Sequence, residues 1–193
     1  MVTATLAKKV AVTVASDERA AAFERLVGAE RNRAVALAYH LTGGDRQAAE
    51  DVAQEAFLRA YRSLESFRGE ASLSTWFTRI VIREAARFRR WRAVRERWRA
   101  LWSRQPQPER ADTPPEPRRH DGERTRARIA AALDSLTPNQ RAVFALVHFE
   151  GRTLEETALV LGKAPGTVKS HLHRALVALR RELADLAEES HVS

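Results

Sequence analysis

The sequence predicts an all-α protein: two small helical domains joined by a proline- and arginine-rich linker. Three observations carry that expectation. Apolar residues recur at helical spacing through most of the chain, no segment sustains the period-two alternation of a strand, and five of the seven prolines crowd into residues 103–121. The 193 residues suffice for one large domain or two small ones. A hydrophobic share of 44% beside 30% charged residues belongs to a globular chain.

Taken in order, residues 1–16 read as a loose leader. Their lysines follow Leu6 and their apolar run is short, which makes a poor signal peptide, and no run in the chain approaches the roughly 18 apolar residues of a membrane span. No membrane insertion is expected, and the cytoplasm is the default location. The first domain spans 17–102. Asp17 can cap a helix from Glu18, with Phe23, Leu26, Val27, Val35, Leu37 and Leu41 on its apolar side and Gly43-Gly44 as its stop. Asp45 can cap a second helix from about Arg46 to Leu64, striped by Val52, Ala56, Phe57, Ala60 and Tyr61. The Ser- and Gly-rich stretch 66–74 is a loop, and Ser72 or Ser74 caps a third helix through TWFTRIVIREAARFRRW.

Residues 103–122 form the linker, and the second domain spans 123–188. It opens with an amphipathic stretch, ERTRARIAAALDSL. Thr137-Pro138-Asn139-Gln140 then gives a capping box with proline at the first helical position, for a helix running to about Phe149 with Gly151 as its stop. Thr153 and Glu156 make a second capping box for a short helix ending at Gly162. A further helix begins near Pro165, where Ala164 stands at a cap position better served by Ser or Asp.

Net charge is +8, which suits a polyanionic partner, although arginine far outnumbers lysine, as free use of Arg by a GC-rich genome would also give. The excess is uneven: residues 1–88 carry 13 basic and 11 acidic groups, residues 89–122 carry 10 and 5, and residues 123–193 carry 10 and 9. The basic tract Arg89 to Arg104 also holds Trp91, Trp98 and Trp102, whose spacings of seven and four fall on one helical face. With no cysteine, disulfides and thiolate metal sites are excluded. There is no glycine-rich phosphate loop and the histidines are scattered, so no enzyme, no cofactor and no metal site are expected.

Residues 153–180 carry the functional signal. A short helix, a turn that Gly162 can make left-handed, and a second helix compose a helix-turn-helix whose own core would be Leu154, Leu161, Val168 and Leu172. Thr167, Lys169, Ser170, His171, His173 and Arg174 are left facing outward near the start of the second helix. That end carries free N–H groups and partial positive charge, and it is the end such motifs insert into the major groove. His171 and His173 lack further ligands nearby.

The second half resembles the −35-reading domain of bacterial sigma factors, through L-T-P-x-Q at 136–140, E-E-x-A-x-x-L-G at 155–162 and GTVKSHLHRA at 166–175. The first half is similar to the −10 and core-binding domain of that family, through AEDVAQEAFLRAYRSL and LSTWFTRI. Two such domains and a short linker resemble the extracytoplasmic-function (ECF) sigma factors of the sigma-70 family. That resemblance implies a sigma factor that binds core RNA polymerase and directs promoter-specific transcription initiation. Asp51, Gln54, Glu55, Phe57 and Leu58 would dock on the β′ clamp helices, and the second domain on the β flap. The loop 66–73, including Phe67 and Arg68, would receive a flipped −10 base, with Trp76, Arg79, Arg83 and Arg87 holding the melted strand without ATP. An anti-sigma factor is an expected further partner. Where the family often has R-I-A-x-N and a later Asp, this chain has Arg79-Ile80-Val81-Ile82-Arg83 and Arg87, a shift toward basic groups. The Arg–Trp tract could track promoter DNA, start the linker, or bind an acidic regulator. The alternative is a stand-alone helix-turn-helix regulator, which leaves the first domain's motifs without a role.

Overall fold

Side-chain caps set the local structure, among them Ser72, whose hydroxyl accepts the Thr75 N–H at 3.1 Å ahead of the third helix. The Asp45 carboxylate accepts the Ala48 N–H at 3.0 Å, and Thr137 with Gln140 and Thr153 with Glu156 close reciprocal capping boxes. The computed structural model describes residues 2–102 and 120–184, with side chains for 20–102, 125 and 128–184. Within them the helices are α1 (Val2–Leu41), α2 (Arg46–Ser63), α3 (Leu73–Trp102), α4 (His120–Ser135), α5 (Pro138–Phe144), α6 (Leu154–Leu161) and α7 (Pro165–Glu182). A 3₁₀ turn at Leu64–Ser66 follows α2, and a π turn at Ala145–Phe149 prolongs α5. No strand occurs among the described residues.

Two boundaries differ from the sequence expectation. Helix α1 starts at Val2, not after a loose leader at 1–16, and it does not break at Asp17. No proline and no glycine precedes Gly28, so nothing in that stretch interrupts helical hydrogen bonding. The expected linker 103–122 falls outside the described residues except for His120–Gly122, which open α4.

Helices α1, α2 and α3 pack on one another around Leu37, Ala38, Val52, Ala56, Phe77 and Val81. Small residues at Ala49, Ala53, Ala56 and Ala60 let α2 approach closely, and Phe57 and Phe77 stack with centroids 4.5 Å apart. Helices α5, α6 and α7 form a second, smaller core around Val143, Ala158 and Val168, with Leu154, Leu161 and Leu172 packed against it. Gly162 ends α6 at φ +61°, the left-handed turn that places α7 across it.

The two modules are not separate beads. Ala145 and Leu146 of the π turn and Val160 of α6 belong to the same buried cluster as α1, α2 and α3. In the π turn, Glu150 N–H bonds back to the Ala145 carbonyl at 3.1 Å.

Candidate nucleic-acid and polymerase interfaces

The N-terminal turns of α7 present a polar face. Thr167, Lys169, Ser170, His173 and Arg174 are exposed and His171 is half-buried, while Val168 and Ala175 anchor the opposite face in the core. Proline at the first helical position fixes the entry, and Ala164 makes no side-chain cap, which leaves the first N–H groups of α7 without a side-chain acceptor from that residue. Ser170 donates its hydroxyl to the Gly166 carbonyl at 2.9 Å. The two histidines diverge around the helix, and among the described residues no group of three or more His, Asp or Glu side chains is placed to hold a metal ion.

On the first module, Asp51, Gln54 and Leu58 are exposed along α2 and Glu55 is half-buried. Glu55 lies 3.3 Å from Arg59 and 3.9 Å from Arg87, and Asp51 accepts a hydrogen bond from Gln47 at 3.3 Å. Phe57 turns inward, between Phe23 and Phe77. A groove of about 390 Å³ between α2 and α3 collects Asp51, Val52, Glu55, Arg87, Phe88 and Trp91. Arg87, expected on the −10 strand, therefore shares a groove with the α2 acids. The buried Glu84 also pairs with it at 3.4 Å.

The loop before α3 forms a cleft of about 190 Å³ lined by Ser66, Phe67, Arg68, Glu70, Ala71, Trp76 and Arg79. Phe67 and Trp76 face each other with ring centroids 5.2 Å apart. Trp76 is half-buried, so one part of its ring supports the core and the rest borders the cleft. Arg79 lines this cleft and also donates to the carbonyls of Val160 (2.9 Å) and Leu159 (2.7 Å), at the C-terminal end of α6. A cation at a helix C-terminus satisfies carbonyls that lack partners within the helix. Arg83 is exposed and borders grooves on two sides of α3. Thus the structure brings Phe67, Arg68, Trp76 and Arg79 together and leaves Arg83 and Arg87 further along the helix.

Charged groups that the sequence did not single out hold the modules together. Arg33 of α1 donates from Nε to both carboxylate oxygens of Glu150 at 3.0 Å, and also reaches Glu30, Ser74 and Thr78. Burial pulls the Arg33 pKa down, but its bonds to Glu150 and Glu30 outweigh that and leave it above its ordinary value. His40 stacks on Phe149 at 3.6 Å, and burial, opposed by Glu150, holds its pKa below the usual histidine value. At a second junction, Asp134 accepts from Arg89 at 2.6 Å and from the buried Arg141 at 2.8 Å. Both arginines also reach the Leu41 carbonyl. Burial lowers the Arg89 pKa, with Asp134 opposing and Arg92 adding to the effect. Gly43 sits at φ +85°, a conformation that side chains rarely adopt, and a Cβ there would lie 3.0 Å from Asp134 Oδ1, so the carboxylate would have to move slightly.

Fold and faces together define a two-module helical protein with a helix-turn-helix at its C-terminal end. The sigma-70 region 2 family matches residues 26–99 and the sigma-70 region 4 family residues 126–179. The ECF RNA polymerase sigma factor SigE of Mycolicibacterium smegmatis is 36% identical over 189 residues, covering 93% of this chain and 69% of its own length. The ECF RNA polymerase sigma factor SigM of Mycobacterium tuberculosis is 34% identical over 181 residues, covering 93% of this chain and 85% of its own. The chain belongs to the ECF sigma factors of the sigma-70 family.

Solved structures agree at the level of fold. CnrH, solved in complex with the cytosolic domain of CnrY, superposes with a TM-score of 0.59 at 24% identity, covering 85% of this chain and 88% of that one. The sigma factor RpoE of Bartonella quintana, solved with the anti-sigma factor NepR, gives a TM-score of 0.55 at 23% identity, covering 84% and 96%. Among the described residues no helix is long and apolar enough to cross a membrane.

Proposed function

We propose that this chain binds core RNA polymerase and directs promoter-specific initiation in the cytoplasm, without catalysing a reaction itself. Helix α7 reads the −35 element through Thr167, Lys169, Ser170, His171, His173 and Arg174. The exposed edge of α2, with Asp51, Gln54, Glu55 and Leu58, meets the β′ clamp helices, Phe57 shaping that edge from within. The second module rests on the β flap. The cleft of Phe67, Arg68, Trp76 and Arg79 receives an unpaired −10 base, with Arg83 and Arg87 along the path of the strand. An anti-sigma factor restrains the chain until it is needed.

The observation that carries this reading is the exposed polar face of α7, set on a capped helix-turn-helix in a chain whose other module matches sigma-70 region 2. Lys and Arg there supply phosphate contacts or guanine recognition, worth about 1–3 kcal/mol of discrimination for a good bidentate pair. Aromatic rings at the −10 cleft supply stacking of about 1–3 kcal/mol per base. The test is reconstitution of the purified protein with core polymerase on a linear promoter template. Discrete transcripts that depend on the added chain are expected. A protein that binds the template but neither associates with core polymerase nor gives specific starts overturns the reading.

A further inference from the structure

Beyond Phe88, α3 leaves the core and runs on to Trp102. Over this stretch Trp91, Val94, Trp98 and Leu101 recur at intervals of three and four, the spacing of a two-heptad coiled-coil seam about 18 Å long. All four are more than half exposed, from 52% at Val94 to 71% at Leu101, and Trp102 beside them reaches 80%. Polar solvent-facing helices do not carry such a stripe without a partner. The flanks of the seam are basic: Arg90 and Arg97 on one side, Arg95 on the other. Among the described residues none of these three is paired with a carboxylate, in contrast to Arg92, which meets Glu96 and Asp134.

Charge decides the occupant. A second copy would set arginine against arginine along both flanks, in parallel or antiparallel register, and like charges there are repulsive. The chain segment that follows, 103–119, has Ala111 as its only apolar residue besides proline, so its sequence offers no apolar stripe to cover the seam. Single-stranded nucleic acid would use the tryptophan faces, but Arg95 already lies over the Trp91 ring, 4.6 Å from its centroid, and Val94 and Leu101 would have no role. The seam also adjoins the α2–α3 groove, which Trp91 helps to line.

We propose that residues 91–102 are a docking strip for an amphipathic helix of a partner protein, with an apolar seam flanked on both sides by carboxylates. This surface is additional to those assigned to promoter and polymerase and stands whether or not those assignments hold. The test uses the full chain and three probes at physiological salt. These are a designed helical peptide with leucine at the seam and glutamate on its flanks, the same peptide with lysine flanks, and single-stranded DNA. The glutamate peptide is expected to bind at least about tenfold more tightly than the lysine peptide. Trp98→Ser with Leu101→Ser should weaken it at least about tenfold with the melting temperature unchanged, because both side chains are exposed. Arg95→Glu with Arg97→Glu should reverse the preference between peptides. Equal affinity for the two peptides overturns the proposal. So does binding indifferent to the seam variant, or a melting temperature lowered by it, which would place the strip in the protein's own core. A seam variant that weakens single-stranded DNA more than the glutamate peptide reassigns the strip to nucleic acid, and a dimer lost in the seam variant reassigns it to a second copy.

Discussion

The α7 face and the α3 face are both proposed to meet DNA, yet they stand in opposite conditions. On α7, Lys169 and Arg174 project from an exposed helical turn with no carboxylate paired to either among the described residues. On α3, Arg79 is already committed to the Leu159 and Val160 carbonyls of α6, and Trp76 is partly absorbed into the core. One face is displayed and the other is held by the module that displays it. For Arg79 to donate to a strand in the proposed −10 cleft, its bonds to α6 must be given up, so the contact between modules and that proposed site draw on the same guanidinium.

Four measurements break or sharpen that comparison. The largest effect is expected from Arg33→Ala. Among the described residues it leaves the nearly buried Glu150 with Arg152, at 3.3 Å, as its remaining ion pair, and a buried carboxylate stripped of its main cation costs more than the loss of an exposed pair. A lower melting temperature and faster proteolysis between the modules are expected, with the fold of each retained by circular dichroism. Next, Lys169→Ala with Arg174→Ala should weaken binding to −35 duplex by about tenfold to a hundredfold, leaving core polymerase binding intact. Equal loss of both would show that the displayed face is not a separate reader.

Arg79→Ala should be smaller and double-edged. Two charge-assisted bonds to α6 are lost, about 2 kcal/mol of contact between modules, while affinity for a single-stranded −10 probe also falls. A probe affinity that rises instead would mean that Arg79 serves only the closed arrangement. The smallest effect is a pH dependence at His40. Its folded pKa is depressed, so the unfolded chain takes the proton first as pH falls through the ordinary value of 6.5. Stability is therefore fully present above that value and declines on acidification toward the folded pKa. His40→Gln should flatten the melting temperature between pH 7 and pH 5.5 relative to the parent chain.

Much of the second module was legible from local chemistry. Thr137-Pro-Asn-Gln140 and Thr153-x-x-Glu156 specify their own caps, and Gly162 marks the left-handed stop, because each feature is settled within four or five residues. The outward side of α7 followed from helical period alone. The start of α1 was less legible, because a capping residue such as Asp17 does not begin a helix where nothing before it breaks one. Phe57 lies on the apolar stripe that helical period predicts for α2, but an aromatic at the margin of such a stripe can face either way, and only its packing with the rings of Phe23 and Phe77 shows how far it turns inward.

The sequence by itself determined that the chain is helical, where its second-module helices begin and end, and which residues of α7 look outward. Those properties arise from short-range hydrogen bonding and from a side-chain period of 3.6 residues. Only the tertiary structure decided that Glu150 meets Arg33, that Asp134 gathers Arg89 and Arg141, and that Arg79 closes α6 rather than standing free. The partners in these contacts lie 7 to 117 residues apart, and most cross from one module to the other. Burial selects such pairs by removing the water that would otherwise serve each charge equally well, and no local pattern in the chain records that selection.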